Sequence, residues 1–284
     1  MSSDVTVVRP GVPTWGQGAR LDRLFRTVWQ QRTLLWQMTQ RELRSRYLGS
    51  TLGWLWSIVT PAGMVAVYTW VFGYVLRAPW PAGERSPIMV AAHLLCGLSV
   101  FHAFAEVLTR APVLLLSHPN LVRKTLFPLE VLVVAAITAS AVQVLAGWTI
   151  VAAVAGVCGR LTTYTLWLPL VWLLLCLQAL GLGLFLVTLG TFVRDLVPAT
   201  GIVAQVLLFL SPIFYPLAVV PEPWRHLAWL NPLAGPVESA RAALLCGQPP
   251  ALASWAASVA WAGGLLLAGH MVFTRQRRSF ADVL

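Results

Sequence analysis

Residues 131–157 read VLVVAAITASAVQVLAGWTIVAAVAGV, an apolar run without a single charged side chain. About 20 such residues, wound as an α-helix, cross the hydrocarbon core of a bilayer, so this run predicts a membrane-spanning helix. Five other runs of similar character occur along the chain. The six predicted spans are 54–76, 88–109, 131–157, 164–192, 199–220 and 251–273. The sequence therefore predicts an all-α polytopic membrane protein, in which Pro169 tilts or breaks the start of the fourth span.

Composition argues against several other classes of protein. Of the 284 residues, 58% are hydrophobic and only 11% are charged, and the mean hydropathy is +0.73. A soluble domain carries about a quarter charged residues. The net charge of +10 lies in short segments between apolar runs and not on one soluble face, so we expect no nucleic-acid partner. The four cysteines are scattered, which favours small apolar fillers over metal ligands or disulfides.

The distribution of basic side chains predicts the orientation of the chain. Six spans place both termini on one side, and fifteen of the twenty basic residues fall in the terminal segments and in the second and fourth loops. Positive charge is enriched on the cytoplasmic side of membrane proteins. Both termini are therefore predicted to be cytoplasmic.

Groups for enzymatic chemistry are scarce in this chain. No paired acids, HExxH or GxSxG occur, and the only lysine, Lys124, lacks the glycines of a phosphate-binding loop. His93, His102 and His270 lie in predicted spans and are candidates for proton relays. None has a partner at helical spacing, so we expect them to be satisfied or to face the interface. The sequence therefore predicts no catalytic residue, no metal site and no ATP hydrolysis by this chain.

The segment before the first span has the pattern of an amphipathic helix. Apolar residues recur at helical spacing between Leu21 and Trp36, with arginines flanking that stripe. The pattern favours a helix in the cytoplasmic interface, although packing on a soluble protein would give the same pattern. We expect residues 1–19 to form a flexible tail, 20–51 this interface helix, and 52–284 the six-span domain. The predicted N-terminal interface residues are Trp29, Trp36, Arg41, Arg44 and Arg46.

Two loops stand out from ordinary connectors. The outer loop 221–250 is rich in apolar residues and is interrupted at Asn231–Pro232, which favours a re-entrant helical hairpin over a surface loop. The predicted cytoplasmic loop SHPNLVRKTLFPLEVL, 117–132, alternates apolar and basic groups. There Asn120 could cap a helix that starts at Leu121 and ends at Pro128. A connector, a site for lipid phosphates and a docking site are all compatible with the loop, and its apolar groups favour docking.

Several stretches resemble one known family, the polysaccharide-exporting ABC-2 permeases. RELRSRYLGSTLGWLWSIVTPAGMVAVYTWVFG, 41–73, is similar to the family's entry into span one, and NLVRKTLFPLEVL, 120–132, to its coupling loop. VRDLVPATGIVAQVLLFLSPIFYP, 193–216, resembles the fourth loop and fifth span. NPLAGPVESAR, 231–241, resembles the outer re-entrant region, and RRSFADVL, 277–284, the tail. The resemblance covers almost the whole chain after about residue 20, in the expected order.

This resemblance implies an exporter subunit in the bacterial inner membrane. It implies two copies of this chain and two copies of a separate ATPase, which binds ATP and Mg, while this chain carries no cofactor of its own. The implied substrates are lipid-linked polysaccharides such as O-antigen, teichoic acid and capsule. Among these, the resemblance favours O-antigen. The implied ATPase-coupling residues are Asn120, Leu121, Val122, Arg123, Lys124, Phe127 and Pro128. Arg194 and Asp195 form a possible second cytoplasmic contact, which a salt-bridged loop anchor would explain equally well.

Aromatic residues of spans one and five are candidates for the translocation path. Aromatic rings stack on sugar faces without demanding one linkage, although packing in the protein core would explain the same rings. The candidates are Tyr68, Phe72, Phe209, Phe214 and Tyr215.

Two other functions share parts of the sequence pattern. One is an ABC-2 exporter of a small hydrophobic drug or lipid, and the other is a membrane-embedded glycosyltransferase.

Overall fold

The computed structural model describes residues 21–46, 50–76, 80, 86–122, 128–277 and 279–280. Within these ranges the chain folds into helices joined by short connections. The helices are α1 Leu21–Gln30, α2 Arg32–Ser45, α3 Trp56–Tyr68, α4 Pro87–Arg110, α5 Pro119–Val122, α6 Leu129–Val157, α7 Leu168–Phe192, α8 Leu196–Leu210, α9 Glu222–Ala228, α10 Ala234–Arg241 and α11 Leu252–Gln276. Short 3₁₀ or π-helical segments extend several of them. The predicted all-α class is confirmed for this part of the chain.

Five of the six predicted spans are confirmed as long apolar helices. With their extensions they cover Gly53–Val75, Pro87–Val113, Leu129–Val157, Thr163–Phe192 and Leu252–Gln276, each long enough to cross a bilayer. The chain is therefore a multi-pass membrane protein. The fourth span starts as a 3₁₀-helix and becomes α-helical at Leu168, with Pro169 in its first turn. The predicted irregularity at Pro169 is thus found.

The fifth predicted span, 199–220, differs from the other five. Helix α8 has 15 residues, which cover about 22 Å and fall short of the roughly 30 Å hydrocarbon core. It ends because Pro212 forces the preceding Ser211 into an extended conformation. The six-span count therefore stays a prediction.

Helix α4 forms the centre of the fold. In the most apolar stretch of the span that contains α4, 83% of the residues are buried. The helix contacts α3, α6, α7, α8 and α10. The first span is the most exposed of the five, with only 6% of the residues in its most apolar stretch buried. Its apolar surface is thus left for lipid or for another protein chain.

Glycines set the tightest helix contact in the bundle, between α7 and α11. A Cβ on Gly181 would lie 2.2 Å from the backbone carbonyl carbon of Leu265, and one on Gly269 would lie 2.0 Å from the Gly181 carbonyl oxygen. Side chains of any size would hold these backbones apart. Small residues at this crossing let the two spans gain dispersion energy that lipid cannot supply.

The N-terminal segment is helical, as predicted, but it is made of two helices with a break at Gln31. Both helices pack against α6, and Leu24 and Thr39 are the side chains they bury. Residues 1–19 and 47–49 lie outside the described part of the chain, so the predicted tail and the end of the interface helix are not tested.

Candidate translocation and coupling sites

Four of the predicted path residues form one row of aromatic rings. Tyr68 contacts Phe72 edge-on at 6.2 Å between ring centres, and Phe72 stacks on Phe214 at 6.1 Å. Phe214 in turn lies 6.0 Å from Phe209, whose side chain is 70% exposed. The first span and the segment after α8 therefore meet through aromatic faces, an arrangement with geometry suited to attractive ring contacts.

Tyr215 has a different position from the other four candidates. Its hydroxyl donates hydrogen bonds to the carbonyl oxygens of Phe209 and Leu210, at 3.3 and 3.1 Å. Those carbonyls lie at the end of α8, where no further helical turn supplies donors. Tyr215 thus caps α8, and this structural role accounts for its hydroxyl.

Arg241, at the end of α10, holds the break that follows α8. The residue is 2% exposed, and its guanidinium donates to the carbonyl oxygens of Pro212 and Ile213, each at 2.5 Å. It also donates to the His93 carbonyl at 3.1 Å and to the Glu238 carboxylate at 3.2 Å. A buried charge requires this number of partners. Three separate segments therefore share one cation.

The ring of Trp80 covers this cation. The Arg241 guanidinium carbon lies 5.1 Å from the indole centre, and Trp80 stacks on the His93 ring at 4.9 Å. The arrangement is a cation–π contact within an otherwise apolar cluster. Sequence reasoning missed Arg241, which closes the quoted NPLAGPVESAR stretch; an arginine surrounded by apolar residues was the available signal.

The predicted outer helical pair is present as α9 and α10, separated at Asn231–Pro232. The Asn231 side chain donates to the Ser211 hydroxyl at 2.8 Å and accepts from the Leu233 amide at 2.9 Å. Helix α10 is buried against α4 and α11, which an ordinary surface loop would not be. Its depth in the membrane, and hence its re-entrant character, stays a prediction.

A cluster of charges joins the N-terminal helices to the second span. Arg46 pairs with Glu106 at 2.6 Å and donates to the Ser140 hydroxyl at 3.2 Å. Arg110 pairs with the same Glu106 at 2.7 Å and also with Glu42 of α2. Arg46, one of the predicted N-terminal interface residues, thus contacts one protein carboxylate and one hydroxyl, and its contact with lipid stays a prediction. Glu42, Glu106 and Arg110 were not among the predicted site residues.

The other predicted interface residues remain on the surface. Trp29, in α1, and Trp36, in α2, are 73% and 62% exposed. Arg41 and Arg44 are also exposed. Exposed indoles beside arginines are the pattern of a helix at a membrane surface.

The described part of the predicted coupling loop is the short helix α5. It begins at Pro119, which needs no amide partner in a first turn, so Asn120 lies within the helix and does not cap it from outside. Pro128 directly precedes α6 and adopts an extended conformation. Leu121 packs against the core. Arg123, Lys124 and Phe127 lie outside the described residues, as does the side chain of Val122.

Two ends of the bundle near this loop are tied together. Glu130 in the first turn of α6 accepts a hydrogen bond at 2.6 Å from Arg277, which directly follows α11. Arg194 and Asp195, the predicted second contact, are both exposed, and neither takes part in an ion pair within the described ranges. The interpretation of that pair as a salt-bridged anchor gains no support.

A bundle of long apolar helices with N-terminal helices on its surface is typical of a multi-pass membrane protein. The profile of the ABC-2 type transporter family matches residues 33–245, and the chain belongs to this family. The match begins within α2 and ends within the π-helical turn after α10.

Individual relatives extend over nearly the whole chain. The O-antigen export system permease protein RfbA of Klebsiella pneumoniae is 26% identical over 255 residues, which cover 88% of this chain and 95% of that protein. RfbA of Myxococcus xanthus is 28% identical over 267 residues, or 92% and 98% of the two chains. The polysialic acid transport protein KpsM of Escherichia coli is 28% identical over 211 residues, or 73% and 79%.

Proposed function

We propose that this chain is the permease subunit of an ATP-driven exporter that moves a lipid-linked polysaccharide, of the O-antigen class, across the bacterial inner membrane. The observation that carries the proposal is the similarity to polysaccharide export permeases over 88–92% of this chain. In this proposal both termini are cytoplasmic, as the positive charge of the terminal segments favours.

A second copy of the chain is the proposed partner within the membrane. The first span and α8 expose large apolar side chains, and no formal charge interrupts either surface. Examples are Trp70, Val67, Ile202, Val206 and Phe209. Dimer formation through these faces would place both aromatic rows beside one shared path. The exposure of the first span, next to the burial of α4, supports this choice of interface.

The remaining partners are two copies of an ATPase, which would bind ATP and Mg. We place its docking on the loop that contains α5 and on the N-terminal helices. Movement of α1 and α2 would reach the second span through Arg46, Glu106 and Arg110, and α6 through direct packing. Ion pairs and packed helices transmit such displacements because they resist deformation.

The aromatic row supplies the surface along which the polymer slides. Ring faces bind sugar rings mainly through dispersion, and they place little demand on hydroxyl positions. Weak and repeated contacts of this kind suit a substrate that must keep moving. Arg241 has the complementary task of holding the interrupted end of α8 in place while the polymer passes.

The test is deletion of this chain, followed by localisation of the cell's lipid-linked polysaccharide. Export as its function predicts full-length polymer on the cytoplasmic side and loss from the surface, with recovery when the intact chain is restored. Absence of polymer from both places would indicate a glycosyltransferase. Normal surface polymer with reduced tolerance of a hydrophobic drug would indicate the small-substrate exporter.

A further inference from the structure

A cavity of about 300 Å³, with a mostly apolar wall, lies between α3, α4 and α6, apart from the aromatic row except at Tyr68. Its wall combines hydrogen-bonding groups from the three helices with apolar side chains. The polar groups are those of Ser57, Thr60, Tyr68, Ser99, His102 and Gln143. The cavity is therefore built of residues from three consecutive membrane-spanning helices.

The residues of each helix recur at helical spacing along the wall. Ser57 and Thr60 are one turn apart on α3, and Ser99 and His102 are one turn apart on α4. Gly147 lies one turn beyond Gln143 on α6, and a Cβ there would come 2.1 Å from the Ser99 hydroxyl oxygen. The glycine lets α4 and α6 approach closely, so the cavity has a fixed wall.

Several of these polar groups lack a protein partner. Thr60, His102 and the Gln143 amide form no side-chain hydrogen bond to any other described residue. The wall hydroxyls of Ser57 and Ser99 are satisfied within their own spans, by the Trp54 carbonyl at 2.7 Å and the Leu95 carbonyl at 2.8 Å. Thr149, outside the cavity wall, likewise donates to the Leu145 carbonyl at 2.7 Å. Unpaired polar groups in a membrane are costly, which points to a ligand that pairs them.

The chemistry of the wall selects the ligand. Among the residues that the structure describes, no arginine, lysine or carboxylate lines the cavity, so its described wall offers no charge to neutralise a phosphate. Hydroxyls, an amide and an imidazole offer donors and acceptors, while the rings of Trp56 and Tyr68 offer apolar faces. The volume lies at the small end of ligand pockets, sufficient for one ring but not for a polymer.

The geometry points to a binding site for an uncharged, polyhydroxylated head group of a membrane amphiphile, such as a single sugar ring. The ligand enters from the lipid phase, because Trp56 and Met64 are exposed at the cavity edge. Two sources share this chemistry: a glycolipid of the membrane, or the sugar next to the lipid of an exported cargo. The site goes beyond polymer export, since it binds one head group whatever polymer is moved.

The test uses full-length protein in phosphatidylcholine vesicles and an octyl glucoside that carries a diazirine beside the sugar. The matched probe has the same tail and diazirine on a phosphocholine head. We expect the glucoside to label peptides from 56–68, 95–102 and 143–147, and Gln143→Met and His102→Phe each to reduce labelling at least fivefold. Thr149→Val is the control, because it lies on the same helix with its hydroxyl bonded internally. Its labelling should be unchanged.

Both variants keep side-chain size near that of the original, and comparable elution on size exclusion establishes that they fold. Thr60→Val provides a third, smaller change in the same wall, at a hydroxyl without a side-chain hydrogen bond to any other described residue. Equal labelling by the phosphocholine probe, or undiminished labelling in the variants, would overturn the site. Absence of label on the intact protein would also overturn the site. That result is expected if a second copy of the chain covers the cavity.

Competition identifies the source of the natural ligand. Loss of labelling with monoglucosyl diacylglycerol assigns the site to a membrane glycolipid, and loss only with an isoprenoid-linked saccharide assigns it to cargo. Because labelling is measured without transport, its failure is separate from failure of the proposed export. If wild-type cells export polymer but the purified protein is not labelled, the cavity site is refuted and the proposed export function is not.

Discussion

The guanidinium of Arg241 lies beneath the indole of Trp80, 5.1 Å from the ring centre. Trp80 belongs to the connection between the first two spans, whereas Arg241 ends the outer helical pair. The same cation also binds the backbone carbonyls that follow α8. One buried charge thus joins three parts at one end of the bundle, and it satisfies the carbonyls that follow the point where Pro212 ends α8.

Replacement of Arg241 should destabilise the protein strongly. Arg241→Ala leaves the carbonyl oxygens of Pro212 and Ile213 without donors, and a buried unsatisfied group costs about 1–3 kcal/mol. Arg241→Lys keeps the charge but lacks the planar fork that spans Pro212 and Ile213, so we expect an intermediate loss. Thermal unfolding of purified protein in detergent measures both. Arg225→Lys, at a partly exposed ion pair on α9, is the control and should shift Tm little. Unchanged Tm in Arg241→Lys would contradict the assigned role.

The ion pair between Arg46 and Glu106 should hold the N-terminal helices on the bundle. Arg46→Gln and Glu106→Gln are each expected to loosen α2, because the pair is largely shielded from water. Chymotrypsin cleavage near Trp36 measures the loosening as a faster rate. Both changes remove the Arg46–Glu106 pair, so the acceleration in the double variant should be smaller than the two single effects combined.

Arg44→Gln is the matched control for this pair, since Arg44 is exposed on the same helix. Its cleavage rate should equal that of the unchanged protein. Additive acceleration in the double variant would show that the two side chains act independently, against the geometry.

The aromatic row should set the rate of polymer export without affecting assembly. Alanine at Tyr68, Phe72 or Phe214 removes a ring contact of about 0.5–1.5 kcal/mol, which predicts roughly two- to tenfold slower export. Surface polymer appearing after induction measures the rate, and co-purification of the ATPase checks assembly. Tyr74→Ala, exposed in the same π-helical stretch, is the control. Normal export in all three variants, with lowered Tm, would assign the row to packing.

The basic pair of the coupling loop should be required for docking. Arg123→Glu combined with Lys124→Glu reverses two charges between apolar residues, and we expect the ATPase to be lost from the purified complex. Export should stop while membrane insertion continues. Arg275→Glu changes an exposed basic residue at the other end of the chain and should leave the complex intact. Retention of the ATPase by the double variant would refute docking at this loop.

The exposed tryptophans should anchor the N-terminal segment in lipid. In a peptide of residues 20–46, Trp29→Asp with Trp36→Asp should reduce binding to anionic vesicles at least tenfold, because two indoles leave the interface. The same positions changed to Phe should retain most of the binding. If the aspartate peptide binds as well as the original, these tryptophans belong to a protein interface instead.

The sequence predicts the helices of this fold better than their partners. Each long span is apolar on every side, so length and composition reveal it, but its pattern does not indicate which face packs inward. Rotational setting depends on contacts between distant segments. Examples are Gly181 against α11 and Glu42 beside Arg110, neither of which local periodicity reveals.

The candidate sites divide in the same way. The aromatic row was predictable because its members lie on two spans with visible aromatic spacing, and four of the five rings do meet. The capping role of Tyr215 was not predicted, because its hydroxyl bonds to backbone carbonyls five and six residues back, an arrangement without a fixed sequence pattern; its place in the path stays a prediction. The cavity between α3, α4 and α6 was not predicted from the sequence, because each helix contributes only a few polar groups to its wall.

The Arg241 contacts also have a consequence for the order of synthesis. The Ile213 carbonyl precedes its donor by 28 residues along the chain. The ribosome therefore completes α8 and the break after it well before Arg241 exists. Until α10 arrives, those carbonyls depend on water or on the insertion machinery for their hydrogen bonds. The segment after α8 therefore reaches its final hydrogen bonding only when the C-terminal third of the chain has been made. In a nascent chain halted before residue 241, the Pro212 and Ile213 carbonyls lack the Arg241 donor.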